Sequence, residues 1–115
     1  MKIFNKMQDG IAILSLQGKL IGPPETDDLY ENVKSLLEKN LKNIVLDLRS
    51  VNWMGSMGIG AIMRCLITVR NDGGDMRLSG LTDKLESLFS ITQIIGIIKT
   101  YKSINVAVDS FKKDK

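Results

Sequence analysis

One short run constrains this chain more than any other: Ile44-Val45-Leu46-Asp47-Leu48, apolar at four of five positions and bounded by polar residues. It is too short for a helix and does not alternate as a half-exposed strand would, so it reads as a buried central strand. Just before it, Leu29, Val33, Leu36, Leu37 and Leu41 recur at helical spacing, with Glu31, Lys34, Glu38 and Lys39 on the other side. This predicts one amphipathic helix to about Asn40. Pro23 and Pro24 punctuate the loop ahead of it, Thr26 is the expected cap, and Asp27 and Asp28 place carboxylates against the positive end of its dipole. An amphipathic helix that feeds a buried strand implies a β-α-β crossover, and hence a parallel pair of strands.

The remaining pattern builds outward from that unit. Residues 2 to 7 and 11 to 16 are β-rich and joined through Gln8, Asp9 and Gly10, where Asp-Gly suits a tight hairpin. Residues 11 to 16 scarcely alternate, so that strand should be covered on both faces, with Gly18 ending it. Arg49 to Ser56 reads as a loop. The stretch Gly58 to Val69 is too long for an average strand and reads as a helix ending near Asp72, Gly73 and Gly74. A short strand at Met76 to Ser79 follows. A third helix carries Leu81, Leu85, Leu88 and Phe89, begun by Thr82 or Asp83. An edge strand is expected near Ile97 to Thr100, then a last helix from Ser103 with Ile104, Ala107, Val108 and Phe111 on its apolar stripe. The expectation is an α/β fold: a mixed sheet of about five strands with about four helices, in the order β-β-α-β-α-β-α-β-α. Residues 1–111 form the one domain, and 112–115 a solvated tail.

The 115 residues contain no histidine and a single cysteine. Imidazole bases, Ser-His-Asp triads, His-ligated metals and phosphohistidine carriers are thereby excluded within the chain. Cys65, inside an apolar helical stretch, reads as a small core residue, and a reducing cytoplasm fits. The carboxylates converge at no catalytic spacing, and Gly55, Gly58 and Gly60 form no phosphate loop with an adjacent Lys-Ser/Thr. The net charge of +3 is scattered along the chain, which argues against a nucleic-acid partner. No secretory leader opens the chain, and no run of ~18 apolar residues offers a membrane span. No cofactor is expected, and the chemistry points to binding rather than catalysis.

The chemistry-bearing segment is Val51 to Gly60. Glycine at 58 and 60 strips side chains from a helix's first turn at about 1 kcal/mol each relative to alanine, a cost that tight packing on the sheet or close approach of a partner must offset. Ser56 is expected at or beside the N-cap. Ile59, Ile62, Leu66 and Val69 can share one buried stripe, leaving Met57, Met63, Ile67 and Ala61 displaced toward an apolar patch flanked by Arg64 and Arg70. Trp53 is expected to pack into the core, with an exposed binding anchor as the alternative. Gly22 and Pro23 lie in a stiff loop expected near this motif.

The layout Ile44-Val45-Leu46-Asp47-Leu48 followed by Val51-Asn52-Trp53-Met54-Gly55-Ser56-Met57-Gly58-Ile59-Gly60 resembles the signature of STAS domains, the family of bacterial anti-sigma factor antagonists. Gln17-Gly18-Lys19-Leu20 is similar to its Gly-x-Leu corner, and Leu78-Ser79-Gly80-Leu81 and the region from Leu88 to Ile98 resemble its later elements. In that family the second hydroxyl of an Asp-Ser-Ser/Thr-Gly-Leu-Gly motif is phosphorylated by the partner kinase. Here Met57 stands at that position, Ser56 at the hydroxyl before it, Gly55 at the motif's Asp, and Ile21 where many relatives carry Asp. The resemblance implies a cytoplasmic, non-enzymatic module that sequesters a serine-kinase anti-sigma factor in a partner-switching pathway that regulates transcription, with Ser56 as the candidate phosphorylation site and a phosphatase as a further partner. The implied contact residues are Gly55, Ser56, Met57, Gly58, Ile59, Gly60, Met63, Arg64, Gly22 and Pro23. Two alternatives stay open: an accessory subunit docking on the ATPase of a membrane transporter complex, and a small-ligand or nucleotide-sensing module on the same fold.

Overall fold

The computed structural model describes residues 1–113. The hairpin forms as its turn chemistry dictates: β1 (Lys2–Gln8) pairs antiparallel with β2 (Ile11–Leu20), and Asp9 and Gly10 both take positive φ, 54° and 80°. The chain then runs through α1 (Glu25–Glu38), β3 (Asn43–Met54), α2 (Ser56–Asn71), β4 (Asp75–Ser79), α3 (Asp83–Ile91), a 3₁₀ turn at Ile94–Gly96, β5 (Thr100–Tyr101) and α4 (Ile104–Lys113). The sheet order is β1-β2-β3-β4-β5, parallel throughout except for β1. The element order matches that expected from the sequence.

Three successive parallel connections carry α1, α2 and α3 to one face of the sheet, as right-handed crossovers that advance in one direction must. There Leu29, Val33 and Leu36, Ile59, Ile62, Leu66 and Val69, and Leu85 and Phe89 join Ala12, Leu14, Leu16, Leu46 and Leu78 in one continuous core. Among the described residues the opposite face carries α4 as its one helix, whose Ala107, Val108 and Phe111 close over Ile11, Ile13 and Val45. That division explains the unalternating β2: its even residues serve one core and its odd residues the other. Helix α4 is capped by Ser103, whose Oγ accepts from the Val106 N–H at 3.3 Å. It is pinned to the hairpin by Lys112 to Asp9 at 2.8 Å and by Gln8 to Asn105 at 2.8 Å. Residues 112 and 113 continue α4, and 114 and 115 lie outside the described residues.

Several local expectations are corrected. Residues 49 to 54 are not a loop: β3 runs on to Met54 beside β2, which itself continues past Gly18 to Leu20. Register shifts between Ser15 and Gln17 and between Gly18 and Lys19 break the alternation there, so the buried residues Leu48, Val51 and Met54 recur every third position and disguise the strand. Thr26 caps nothing. It lies buried inside α1, which starts at Glu25 after Pro24. The edge strand falls at Thr100–Tyr101, after the 3₁₀ turn, rather than near Ile97. At the outer rim, β1 pairs only with β2 and is largely exposed, with Lys2, Phe4 and Lys6 at alternate positions.

Candidate functional site

The motif residues gather where β2 and β3 end and α2 begins. Leu20 pairs with Met54, and the Gly55 N–H then donates to the Leu20 carbonyl at 3.1 Å, so the two strand ends leave the sheet together. Gly55 is the N-cap of α2, extended at φ −94° and ψ 179°, and its carbonyl accepts the first helical bond from Ile59 at 3.0 Å. Ser56 is therefore the first helical residue rather than the cap. No side-chain hydrogen bond caps α2, and Ser56 is exposed.

The two glycines play different parts. A Cβ on residue 58 would collide with the Leu20 carbonyl oxygen and come within 2.8 Å of Met54 Cγ, so only glycine lets α2 settle on the ends of β2 and β3. Gly60 is exposed, with nothing within 4 Å of a Cβ built there. Packing accounts for the first glycine and not for the second.

The resulting helix start is an apolar ridge. Met57 is 57% exposed and rests its Sδ 3.5 Å from where a Cβ on Gly22 would lie, which brings the Gly22-Pro23 loop against the motif as expected. Ile21, 51% exposed, approaches Gly55 to 3.8 Å in the same sense. Ile59 and Ile62 face the core, Met63 is half-buried against it, and Ile67 stays exposed one turn further along. Arg64 is not a free flanking charge: its guanidinium lies 3.6 Å from the centre of the Tyr30 ring and ties α2 to α1. Pro23 is exposed, beside a cis peptide to Pro24.

Trp53 was expected in the core and is instead 42% exposed, with Lys84 Nζ 5.5 Å from its ring centre. Its neighbour Met54 takes the inward position. The charged groups nearby have structural work. Asp47 is buried, accepting from Ser15 Oγ and from the Arg49 N–H, each at 3.1 Å. Cys65 is fully buried on α2, and burial pushes its thiol up to about 12, an effect that the positive charge of Arg64 only partly opposes. It is a core residue, as its setting in the sequence implied. Among the described residues no group of His, Cys, Asp and Glu could hold a metal ion, and no helix is long and apolar enough to cross a membrane.

The site therefore offers shape and apolar surface rather than reactive groups. The structure brings Gly22 against Met57 at the start of α2, with Met63 two turns into the same helix. Sequence reasoning missed Tyr30 as the seat of Arg64, which the spacing of charges alone does not disclose.

Comparison with known proteins bears on the fold and the family. The STAS domain model matches residues 3–107. BtrV of Bordetella bronchiseptica, assigned as an anti-sigma factor antagonist, is 24% identical over 112 residues, covering 97% of this chain and 96% of that protein. The crystal structure of a protein with the same assignment from Thermotoga maritima superposes with a TM-score of 0.86 at 26% identity, covering 94% of this chain and 92% of that one. The anti-sigma factor antagonist SpoIIAA of Bacillus, in its unphosphorylated form, superposes with a TM-score of 0.74 at 13% identity over 96% of this chain and 98% of its own. That last likeness is one of fold alone.

Proposed function

We propose that this chain, which belongs to the STAS domain family, is an anti-sigma factor antagonist: it binds a serine-kinase anti-sigma factor through the start of α2 and frees a sigma factor by competition. The observation that carries this reading is the exposed Met57 on a helix start that Gly58 holds against the Leu20 carbonyl. An apolar thioether adapts its shape to a partner, and an open Gly60 in the next turn lets that partner's backbone come close. Gly55, Ser56, Met63, Arg64, Gly22 and Pro23 frame the same surface, while Ile59, expected among the contacts, faces the core. The module works by binding in the cytoplasm, without catalysis.

Phosphorylation control falls to Ser56, because methionine at position 57 cannot accept phosphate. A phosphate on Ser56 would meet the positive end of α2 favourably, so its switching effect arises from conflict with the partner rather than from damage to the fold. A phosphatase would then restore the binding form.

The test is an affinity measurement between the full chain and the serine-kinase anti-sigma factors of its own organism, with Met57→Asp beside the wild type. At least a tenfold loss, about 1.4 kcal/mol, is expected, with an unchanged thermal unfolding curve. Equal affinity of both forms would remove this helix start from the interface, and absence of any binding by the wild type would remove the function itself.

A further inference from the structure

Trp53 is the chain's only tryptophan, and the fold leaves it 42% exposed. The reason is topological. The β3–β4 register ends at Asp47 and Ser79, so the last residues of β3 overhang β4 and are paired only to β2, where Lys19 stands directly across from Trp53. Met54 turns into the core, which leaves the indole no inward position.

One cation lies over the ring and another occupies the paired strand position. Lys19 is exposed at the paired position, and Lys84 Nζ lies 5.5 Å from the ring centre. Lys84 occupies the first turn of α3, where the helix dipole disfavours positive charge. Asp83 and Glu86 of the same turn line the groove with Tyr101 and Lys102 between α3 and α4. An indole with the Lys84 ammonium over its ring and an exposed lysine at the paired strand position, at the same end of the sheet as Met57, is a surface complementary to an apolar side chain with a carboxylate beside it.

We propose that Trp53, flanked by Lys19 and Lys84, is a second anchor of the docking face, and that it receives an apolar side chain adjacent to an acidic residue on the anti-sigma factor. This rests on the function proposed above and extends its surface across β3. Large aromatic side chains concentrate binding energy at interfaces, and loss of a central tryptophan weakens binding by about thirtyfold or more. The cations act mainly on encounter, so their contribution fades as salt rises.

The experiment uses the full chain carrying 5-fluorotryptophan and the purified serine-kinase anti-sigma factor. The single ¹⁹F resonance should shift on complex formation. Trp53→Ala should weaken binding by about thirtyfold with an unchanged unfolding midpoint, Trp53→Phe should retain most of the affinity, and the Lys19→Gln/Lys84→Gln pair should bind more slowly and lose most of its salt dependence. If Met57→Asp weakens binding while Trp53→Ala binds as the wild type does and the ¹⁹F resonance stays in place, Trp53 lies outside the interface and the inference is wrong, although the docking corner stands. If Met57→Asp is also without effect, the docking corner itself is wrong, and this inference goes with it.

Discussion

Gly58 lies directly against the main-chain carbonyl of Leu20, with no room for even a methyl group between them. That contact sets how closely α2 approaches the ends of β2 and β3, and so fixes the height of the Met57 ridge. Gly58→Ala should cost ~1–3 kcal/mol from forced displacement, read as a lower denaturant midpoint. Gly60→Ala meets open space and should stabilise by up to about 1 kcal/mol. The same shift at both positions would show that the close approach at Gly58 has no energetic weight.

Cys65 should be inert in the native state. Its thiol is raised from 9.0 to about 12 by burial, so thiolate is scarce at pH 8 and a thiol reagent should react only as fast as the protein opens. The sign for stability follows. Between pH 9 and 12 the unfolded chain loses this proton and the folded one keeps it, so stability is whole below about 9 and falls through that window. Replacing Cys65 with alanine should flatten that part of the pH profile, although it also costs packing. A native thiol that labels at the unfolded rate would contradict this burial.

Two hydroxyls that look equivalent in the sequence should behave differently. Thr82 caps α3, its side chain accepting from the Leu85 N–H at 3.3 Å, whereas Ser56 caps nothing. Thr82→Ala should lose about 1 kcal/mol in chemical denaturation. Ser56→Ala should stay within about 0.5 kcal/mol of the wild type, as surface substitutions away from such contacts do.

Incubation with the cognate kinase and ATP should label Ser56 alone at the start of α2, and Met57→Ser should gain a second labelled position, as mass spectrometry of the peptide would show. Phosphate on Ser79, Ser87 or Ser103 of the native chain would move the control point elsewhere.

Much of the architecture could be read from residue patterns, and the exceptions share a cause. The Asp9-Gly10 turn, the α1 stripe and the α4 stripe of Ile104, Ala107, Val108 and Phe111 are local signals whose period survives folding. The end of β3 was not legible, because the shifts in its pairing with β2 change the burial period from two to three, and nothing in either strand alone reveals them. Trp53 was misplaced for the same reason: once residues 49 to 54 are strand, Met54 and Trp53 compete for the interior, and Met54 occupies it. Gly58 and Gly60 look alike in the sequence. Only the position of the Leu20 carbonyl distinguishes the one required by packing from the one left open.

The exposed rim of β1 is an open strand edge against which a second copy of the same rim can be set. Pairing two rims antiparallel about Phe4 would stack the two phenylalanines but set Lys2 of each copy opposite Lys6 of the other. Like charges facing across such a seam oppose the fibre growth that an open strand otherwise invites, and concentrated salt, which screens them, weakens that protection.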